Sequence, residues 1–158
     1  MSAAVRNHIV AARLPHRCIM ASTPSTRRQL DPDRFTRRSA DDVAKAFIPH
    51  YYNLFDTNRE GLAALFRNES QFTFEGDGPK AGGPAIMEKL RTLPPVQHQP
   101  QTIETQPSTN PNAILVFCTG NILVEQGKPL KYSEVFQLVA SAPGQYYLHN
   151  VIFRFNYA

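Results

Sequence analysis

Tryptophan is absent from the 158-residue sequence, and cysteine and methionine are scarce, at 2 and 3 residues. Cys18 and Cys118 are too few and too far apart for a disulfide scaffold, and such usage suits a reducing compartment. No apolar run approaches the ~20 residues that cross a bilayer, which excludes a membrane-spanning helix. A Gly-rich phosphate loop, a nucleophile elbow and a metal-spaced His/Cys cluster are also missing, so we expect no cofactor and no metal site.

What is present is sufficient for one domain. Of the 158 residues, 42% are hydrophobic and 10% are aromatic. This length can bury one core and is too short for two ordinary domains.

The net charge of +4 is unevenly distributed. The region 1–38 contains eight arginines and two aspartates, whereas the region 39–158 contains 9 basic and 11 acidic side chains. The domain itself is therefore mildly acidic, which weighs against phosphate contacts, and we expect no nucleic-acid partner.

The region 1–38 is predicted to be a disordered, Arg-rich tail because it is rich in proline and lacks useful periodicity. Residues 1–20 are Arg-rich and acid-free, as mitochondrial presequences are, with Val5, Ile9 and Ala12 at near-helical spacing. A start of translation at Met20 is the other interpretation. The sequence leaves both open.

A first helix is predicted over residues 41–55. Ser39 and Asp42 form a Ser-x-x-acid capping arrangement, and Pro49 predicts a kink because proline lacks the N–H that would bond back along the helix. The apolar stripe at spacings of three and four consists of Val43, Ala46, Phe47, Tyr51, Leu54 and Phe55.

Two further helices and five strands follow. Asn58 is predicted to cap a short helix that carries Leu62, Leu65 and Phe66, and a third helix should run from Gly83-Pro84 through Leu90. Alternating segments between turn residues predict strands at 71–75, 97–106, 113–124, 130–140 and 145–156. Short connections favour antiparallel neighbours, so the fold class is α+β with helices on one face of an antiparallel sheet.

Two of these strands are apolar on both faces. In the 113–124 strand the side chains on one side are Ile114, Val116, Cys118, Ile122 and Val124, and those on the other are Leu115, Phe117 and Leu123. In the last strand the side chains on one side are Tyr147, Val151, Phe153 and Phe155, and those on the other are Leu148 and Ile152. Three short helices cover only one face, so a second copy of the chain is predicted to cover the other as a homodimer. The alternative is that the second face curls around its own cavity.

Glu75 is the most suggestive candidate for a site. It follows Phe72 and Phe74 at the end of a strand, so its carboxylate should lie at the rim of an apolar surface. It could act as a general acid or base, pair with a basic residue of a partner, or be an exposed strand-end acid. The scattered His50, His98 and His149 are better explained as structural residues than as bases.

Several long segments carry a resemblance to one family. They are Phe47-Ile-Pro-His-Tyr-Tyr-Asn-Leu-Phe-Asp56 with Asn58-Arg59, Phe66-Arg-Asn-Glu-Ser-Gln-Phe-Thr-Phe-Glu75, Ile86-Met-Glu-Lys-Leu-Arg-Thr-Leu-Pro94, Thr119-Gly120, Tyr132-Ser-Glu-Val-Phe136 and Phe153-Arg-Phe-Asn-Tyr157. In order and spacing they resemble the nuclear transport factor 2 family over about residues 40–158.

The resemblance implies a cone-like α+β fold with three helices on a curved antiparallel sheet, a homodimer and no catalysis. Family members carry GDP-bound Ran into the nucleus and bind Phe-x-Phe-Gly repeats of nucleoporins, so it implies the cytoplasm, the nucleus and the nuclear pore complex. The Ran-binding residues that it implies, most of them lining a cavity, are Glu75, Phe74, Leu93, Glu125, Leu130, Val135, Ile152 and Phe153. The implied dimer-face residues are Phe117 and Ile152.

The sequence also departs from the family pattern. Ala40 stands where the family has a large aromatic residue that helps to form a repeat-binding groove, and Glu125 is one acid where members often have two. The Arg-rich tail has no counterpart in the pattern.

Two other functions use the same fold. Small isomerases and dehydratases place acids and histidines inside the cone, and an inward-facing acid–histidine pair within hydrogen-bond reach would indicate an enzyme. The small partner subunit of the mRNA-export receptor is a heterodimeric adaptor. That subunit class lacks the Phe-Thr-Phe-Glu75 pattern that is present here.

Overall fold

The computed structural model describes residues 32–157, with side chains from residue 39 onward. Three helices and two strands come first along the chain, and four long strands follow. Their order is α1 (Pro32–Thr57), a 3₁₀-helix (Arg59–Leu65), β1 (Phe66–Phe74), β2 (Lys80–Ala81), α2 (Gly83–Arg91), β3 (Val96–Pro107), β4 (Ala113–Val124), β5 (Leu130–Ala142) and β6 (Gln145–Phe155). The predicted α+β class is confirmed, with three helices against a curved, open sheet.

Helix α1 begins earlier than the sequence indicates. It starts at Pro32, so the prediction that Ser39 caps its first turn is wrong, and 32–38 are helical residues. The helix runs on through Pro49. The division of the chain at residue 38 stays a prediction, and the presequence and the Met20 start lie outside the described residues.

The buried face of α1 also differs from the predicted stripe. The residues of α1 that are buried against the sheet are Ala40, Ala44, Ile48, Tyr51, Tyr52 and Phe55. Ala46 is exposed, and Val43 and Phe47 are only half-buried. The spacing of the large side chains predicted the buried face only in part. The small Ala40 and Ala44 let the helix lie close to the sheet, and the larger Val43 and Phe47 are turned partly away from it.

The two shorter helices follow the prediction in part. Helix α2 starts at Gly83 with Pro84 in its first turn and buries Ile86, Met87 and Leu90, as predicted. The second helix is a 3₁₀-helix, and Phe66 belongs to β1 instead. Within the described residues the Asn58 side chain makes no capping bond; its backbone carbonyl accepts from the Gly61 N–H at 2.9 Å.

The six strands lie in the order β2-β1-β6-β5-β4-β3. The predicted antiparallel succession from β3 to β6 is present, but β1 and β6 are parallel neighbours. Sequence reasoning about short connections does not apply to this pair, because β1 and β6 are joined through all the intervening elements.

One face of the sheet packs under the helices and the other stays open. On β4, Val116 and Cys118 are fully buried, whereas Leu115 and Phe117 are each 40% exposed. On β6 the predicted alternation is wrong for Leu148, which is fully buried. Gln137 pairs with Asn150 and Leu138 with Leu148, so His149 is an extra residue. This bulge turns Leu148 to the core face.

None of the helices described by the structure is both long enough and apolar enough to cross a membrane.

Candidate functional site

A cavity of about 290 Å³ lies between the helices and the concave face of the sheet. The part of its lining that a ligand could contact is almost wholly apolar. The residues that line it are Phe55, Phe72, Phe74, Leu93, Pro94, Val96, His98, Ile122, Val124, Leu130, Glu134, Phe153 and Phe155. Such a hollow suits one apolar ring better than a polar substrate.

Aromatic side chains from β1 and β6 form one rigid wall of the cavity. Phe74 pairs with Phe153 across the parallel strands, and their rings stack with centroids 4.9 Å apart and planes 7° apart. Phe155 meets Phe153 edge-on at 5.1 Å. The parallel pairing, which the sequence did not predict, therefore builds this wall.

A carboxyl group lies behind the apolar wall. Glu134 is 1% exposed, and its two oxygens accept hydrogen bonds from the hydroxyls of Tyr51 at 3.2 Å and Tyr52 at 3.0 Å. Burial raises the pKa of Glu134 to about 8, although the two tyrosine hydroxyls act in the opposite direction. Glu134 is therefore mostly neutral at pH 7. Burial likewise raises the pKa of Tyr51 and Tyr52, so both keep their protons.

Asp56 and His98 join the end of α1 to the start of β3. The Asp56 carboxylate accepts from the backbone N–H of His98 at 2.8 Å and from its ring Nδ1 at 2.6 Å. The His98 ring stacks on Tyr52 at 4.5 Å and meets the edge of Phe55 at 4.9 Å. An acid–histidine pair within hydrogen-bond reach is thus present, but the ring is enclosed by aromatic neighbours.

Glu75 lies in the tight turn after β1, beside the cavity. Its backbone is left-handed with φ of 50°, and its carboxylate accepts a hydrogen bond from the backbone N–H of Phe155. Because Phe74 and Phe155 both line the cavity, Glu75 holds a fixed, half-exposed negative charge at the edge of the apolar hollow. Gly76 follows with φ of 79°, and a Cβ there would come within 2.7 Å of the Arg154 guanidinium.

Four of the other predicted cavity residues line the hollow: Phe74, Leu93, Leu130 and Phe153. Val135 and Ile152 do not, and that prediction of cavity lining is wrong. They pair with each other across β5 and β6, and Ile152 is 47% exposed. Each lies between inward-facing neighbours, so alternation sends both side chains to the outer face of the sheet.

Glu125 occupies the turn between β4 and β5 and is exposed. Its backbone N–H donates to the Pro95 carbonyl at 3.0 Å, between the lining residues Pro94 and Val96. Phe117 lies on the outer face with Ile152, in agreement with the dimer-face placement, and not the cavity placement, that the resemblance implied for Ile152.

Sequence reasoning missed Glu134, Asp56 and the two tyrosines. A signal for Glu134 was available, because it alternates with Tyr132 and Phe136 on the face of β5 that packs inward. Asp56 carried no such signal, since its partner His98 is 42 positions away. The structure describes no group of three or more His, Cys, Asp or Glu side chains in 39–157 that would hold a metal ion.

An open groove of about 790 Å³ runs along the other side of α1. Its apolar floor includes Val43, Phe47, Leu65 and Tyr146. Ala40 is not part of it, because this residue is 3% exposed and packs into the core.

Comparison with known proteins gives the chain a family. A profile of the Nuclear transport factor 2 (NTF2) domain matches residues 43–155. Nuclear transport factor 2B of Arabidopsis thaliana is 43% identical over 133 residues, which cover 82% of this chain and 98% of that protein.

Solved structures agree with this match. Nuclear transport factor 2 from Cryptosporidium parvum superposes with a TM-score of 0.70 at 37% identity, over 75% of this chain and 95% of that one. A putative scytalone dehydratase from Novosphingobium aromaticivorans has a TM-score of 0.65 over 78% of this chain and 89% of that one, but at 16% identity it shares the fold alone. The predicted resemblance is confirmed, and the chain belongs to the nuclear transport factor 2 family.

Proposed function

We propose that this protein is a carrier that binds the GDP-bound form of Ran and takes it through the nuclear pore. The observation that supports this most directly is the apolar cavity with the Glu75 carboxylate held beside it. An aromatic side chain of Ran would enter the cavity, and Glu75 would pair with a neighbouring basic residue. A buried aromatic group supplies most of the energy of a small interface, and a charge at its edge orients the partner and speeds encounter.

The second element of the proposal is a homodimer formed through the outer face of the sheet. Leu115, Phe117 and Ile152 are between 40% and 47% exposed on this face. Contiguous apolar surface of this kind is rare on monomers. A two-fold pairing of copies would cover it and leave both cavities free.

The third element is weak binding of Phe-x-Phe-Gly nucleoporin repeats. The groove beside α1 supplies apolar surface around Phe47 and Tyr146, which supports contact with phenylalanine side chains. The small, buried Ala40 adds nothing to such a site. Binding should be weak because a disordered repeat loses entropy on docking, and weak contacts allow passage. This proposal places the protein in the cytoplasm, the nucleus and the nuclear pore complex.

An enzyme of the dehydratase or isomerase class is the second candidate, because Asp56 and His98 form the acid–histidine pair that such an enzyme would need. The geometry of the cavity weighs against it. His98 and Glu134 are lining residues, but the His98 Nδ1 is bonded to Asp56, the Glu134 oxygens accept from two tyrosines, and the cavity surface open to a ligand is almost wholly apolar, so few polar atoms are offered to a substrate.

The heterodimeric mRNA-export adaptor remains the third alternative. The Glu75 carboxylate beside the cavity favours the Ran carrier, since the sequence pattern around it is what that adaptor class lacks.

The deciding experiment is capture of the full chain on immobilised Ran loaded with GDP or with GTP. The carrier proposal expects capture on the GDP form at micromolar concentration and little on the GTP form. Equal capture on both forms, or on neither, would overturn it.

A further inference from the structure

The strongest feature left unused by the proposed function is Arg59, which ends the turn after α1 and begins the 3₁₀-helix. Its guanidinium donates to three backbone carbonyls: Leu90 at 3.0 Å, Leu93 at 2.6 Å and Pro94 at 2.9 Å. Its Nε also donates to the Phe55 carbonyl at 3.4 Å. One side chain thus ties α1 to the chain that follows α2.

Two of those carbonyls, on Leu93 and Pro94, belong to residues 92–95, which we call the lip and which lie between α2 and β3, whereas the Leu90 carbonyl belongs to the last turn of α2. Besides the bonds from Arg59, the lip is tied to the β4–β5 turn, where the Glu125 N–H donates to the Pro95 carbonyl at 3.0 Å. The N–H groups of Thr92 and Leu93 make only single-turn bonds, to Lys89 at 3.1 Å and Leu90 at 3.2 Å. Carbonyls at a helix end lack intrahelical donors, and a cation there also meets the negative end of the helix dipole.

The lip forms one side of the cavity. Leu93 and Pro94 line the hollow, and so does Phe55, whose ring lies 5.0 Å from the Arg59 guanidinium carbon. Arg59 itself does not line the cavity. Its planar fork suits several acceptors at fixed angles, a geometry that a lysine ammonium reproduces poorly.

We propose that Arg59 is a positioning residue for the cavity. It acts through Leu93 and Pro94, which it holds in the place where they close the pocket around an incoming aromatic ring. This inference rests on the proposed function, because it assigns Arg59 a part in aromatic docking. A preformed lip lowers the entropy cost of binding. The affinity is proportional to the fraction of molecules whose lip is formed, so it falls when that fraction falls.

The chain offers a matched control. Arg91 also joins α2 to the 3₁₀-helix, through two bonds of 2.7 Å to Glu60, but it is exposed and does not touch the lip. The variants Arg59→Met and Arg91→Met each remove one guanidinium that links the same two elements. Arg59→Lys keeps the charge and loses the fork.

The experiment combines amide hydrogen exchange with the affinity for GDP-loaded Ran, using the full-length variants. If the formed lip drops to about one tenth of molecules in Arg59→Met, we expect the affinity to fall about tenfold and the Thr92 and Leu93 amides to exchange at close to the rate of unprotected amides. Core amides such as that of Val116 should keep their rates, which separates a local effect from global destabilisation. Arg59→Lys should lie between, and Arg91→Met should match the parent chain.

Three results would overturn the inference. They are unchanged exchange at the lip in Arg59→Met, faster exchange without loss of affinity, and equal effects in Arg91→Met. If Arg59→Met does not fold, Arg59→Lys decides, since parental exchange and affinity in that variant would show that the fork is not needed. If the parent chain does not bind GDP-loaded Ran, the proposed function fails, and the docking role fails with it even where the lip amides respond. Failure of the Arg59 inference alone would leave Ran binding by the parent chain intact.

Discussion

The carboxyl group of Glu134 lies in the protein interior, where its ionised form is unfavourable. It is 1% exposed, and burial raises its pKa to about 8. Between its ordinary value of 4.5 and about 8, the unfolded chain is ionised while the folded chain keeps the proton. The folded state therefore binds more protons in this window, and Glu134 lowers stability as the pH rises, by about 1.4 kcal/mol per unit of pH.

Glu134→Gln should make the protein more stable at neutral pH. The amide oxygen can still accept from a tyrosine hydroxyl. Glutamine does not ionise, so the unfolded state no longer gains free energy by releasing a proton. We expect a gain of about 3 kcal/mol at most at pH 7, and a flatter dependence of the free energy of unfolding on pH between 5 and 8. Urea denaturation at several pH values measures both.

Glu104→Gln is the control for this prediction, because Glu104 is an exposed acid on β3. It should leave the pH dependence as in the parent chain. A Glu134→Gln variant with the parental slope would show that Glu134 is ionised in the folded protein at neutral pH.

Glu75→Lys should abolish capture on GDP-loaded Ran. The substitution removes the carboxylate beside the cavity and puts a like charge opposite the partner's basic residue, a loss of about 2–5 kcal/mol in binding free energy. Titration calorimetry with GDP-loaded Ran measures the change. Glu69→Lys makes the same change of charge at an exposed position on β1 and should bind as the parent chain does. Undiminished binding by Glu75→Lys would remove Glu75 from this role.

At the scale of elements, β3 and β4 approach closely where the register shifts between Pro100 and Thr102. Gly120 lies opposite, and a Cβ there would come within 2.4 Å of the Gln99 carbonyl oxygen and 2.8 Å of the Pro100 Cα. Backbone atoms cannot move aside as a side chain can. Only glycine permits this pairing.

Gly120→Ala should therefore lower the free energy of unfolding, by about 1–3 kcal/mol, because it forces the two strands apart. Thermal unfolding followed by circular dichroism measures the shift. Gly78→Ala is the matched control, since nothing lies within 4 Å of its added methyl group. Equal melting temperatures for the parent chain and Gly120→Ala would contradict the close approach.

Some helix and strand boundaries could be predicted from local sequence signals, and others could not. The helix α2 and the strands β3 to β6 were predicted from periodicity and turn residues, because those signals are local. The start of α1, its buried stripe and the bulge at His149 were not. The buried stripe and the bulge depend on how closely one element approaches another, which spacing along the chain does not report.

At the scale of the whole molecule, the open face of the sheet predicts self-association. Full-length protein at micromolar concentration should scatter light as a dimer, and Phe117→Glu should shift it to a monomer. Position 117 is 40% exposed in the single chain, so a charged side chain there destabilises the monomer little. In a buried interface the same charge loses its hydration, which weakens association of the two copies strongly.

Lys45→Glu on the exposed side of α1 is the control for this shift and should remain dimeric. A monodisperse monomer of the parent chain would contradict the pairing of sheet faces. A chain that is monomeric alone and forms a heterodimer with a different protein would instead favour the adaptor.

The sequence alone determined the class of fold, the family and much of the cavity. The amphipathic periods, the turn residues and the long similar segments are local properties, and it was the family resemblance carried by those segments that implied Phe74 and Phe153 as cavity residues. Only the tertiary structure decided which apolar residues face the hollow, and it moved Val135 and Ile152 to the outer face. It also brought Glu134 beneath two tyrosines and Arg59 against the lip. These contacts join residues far apart in the chain, so their geometry depends on how the elements pack.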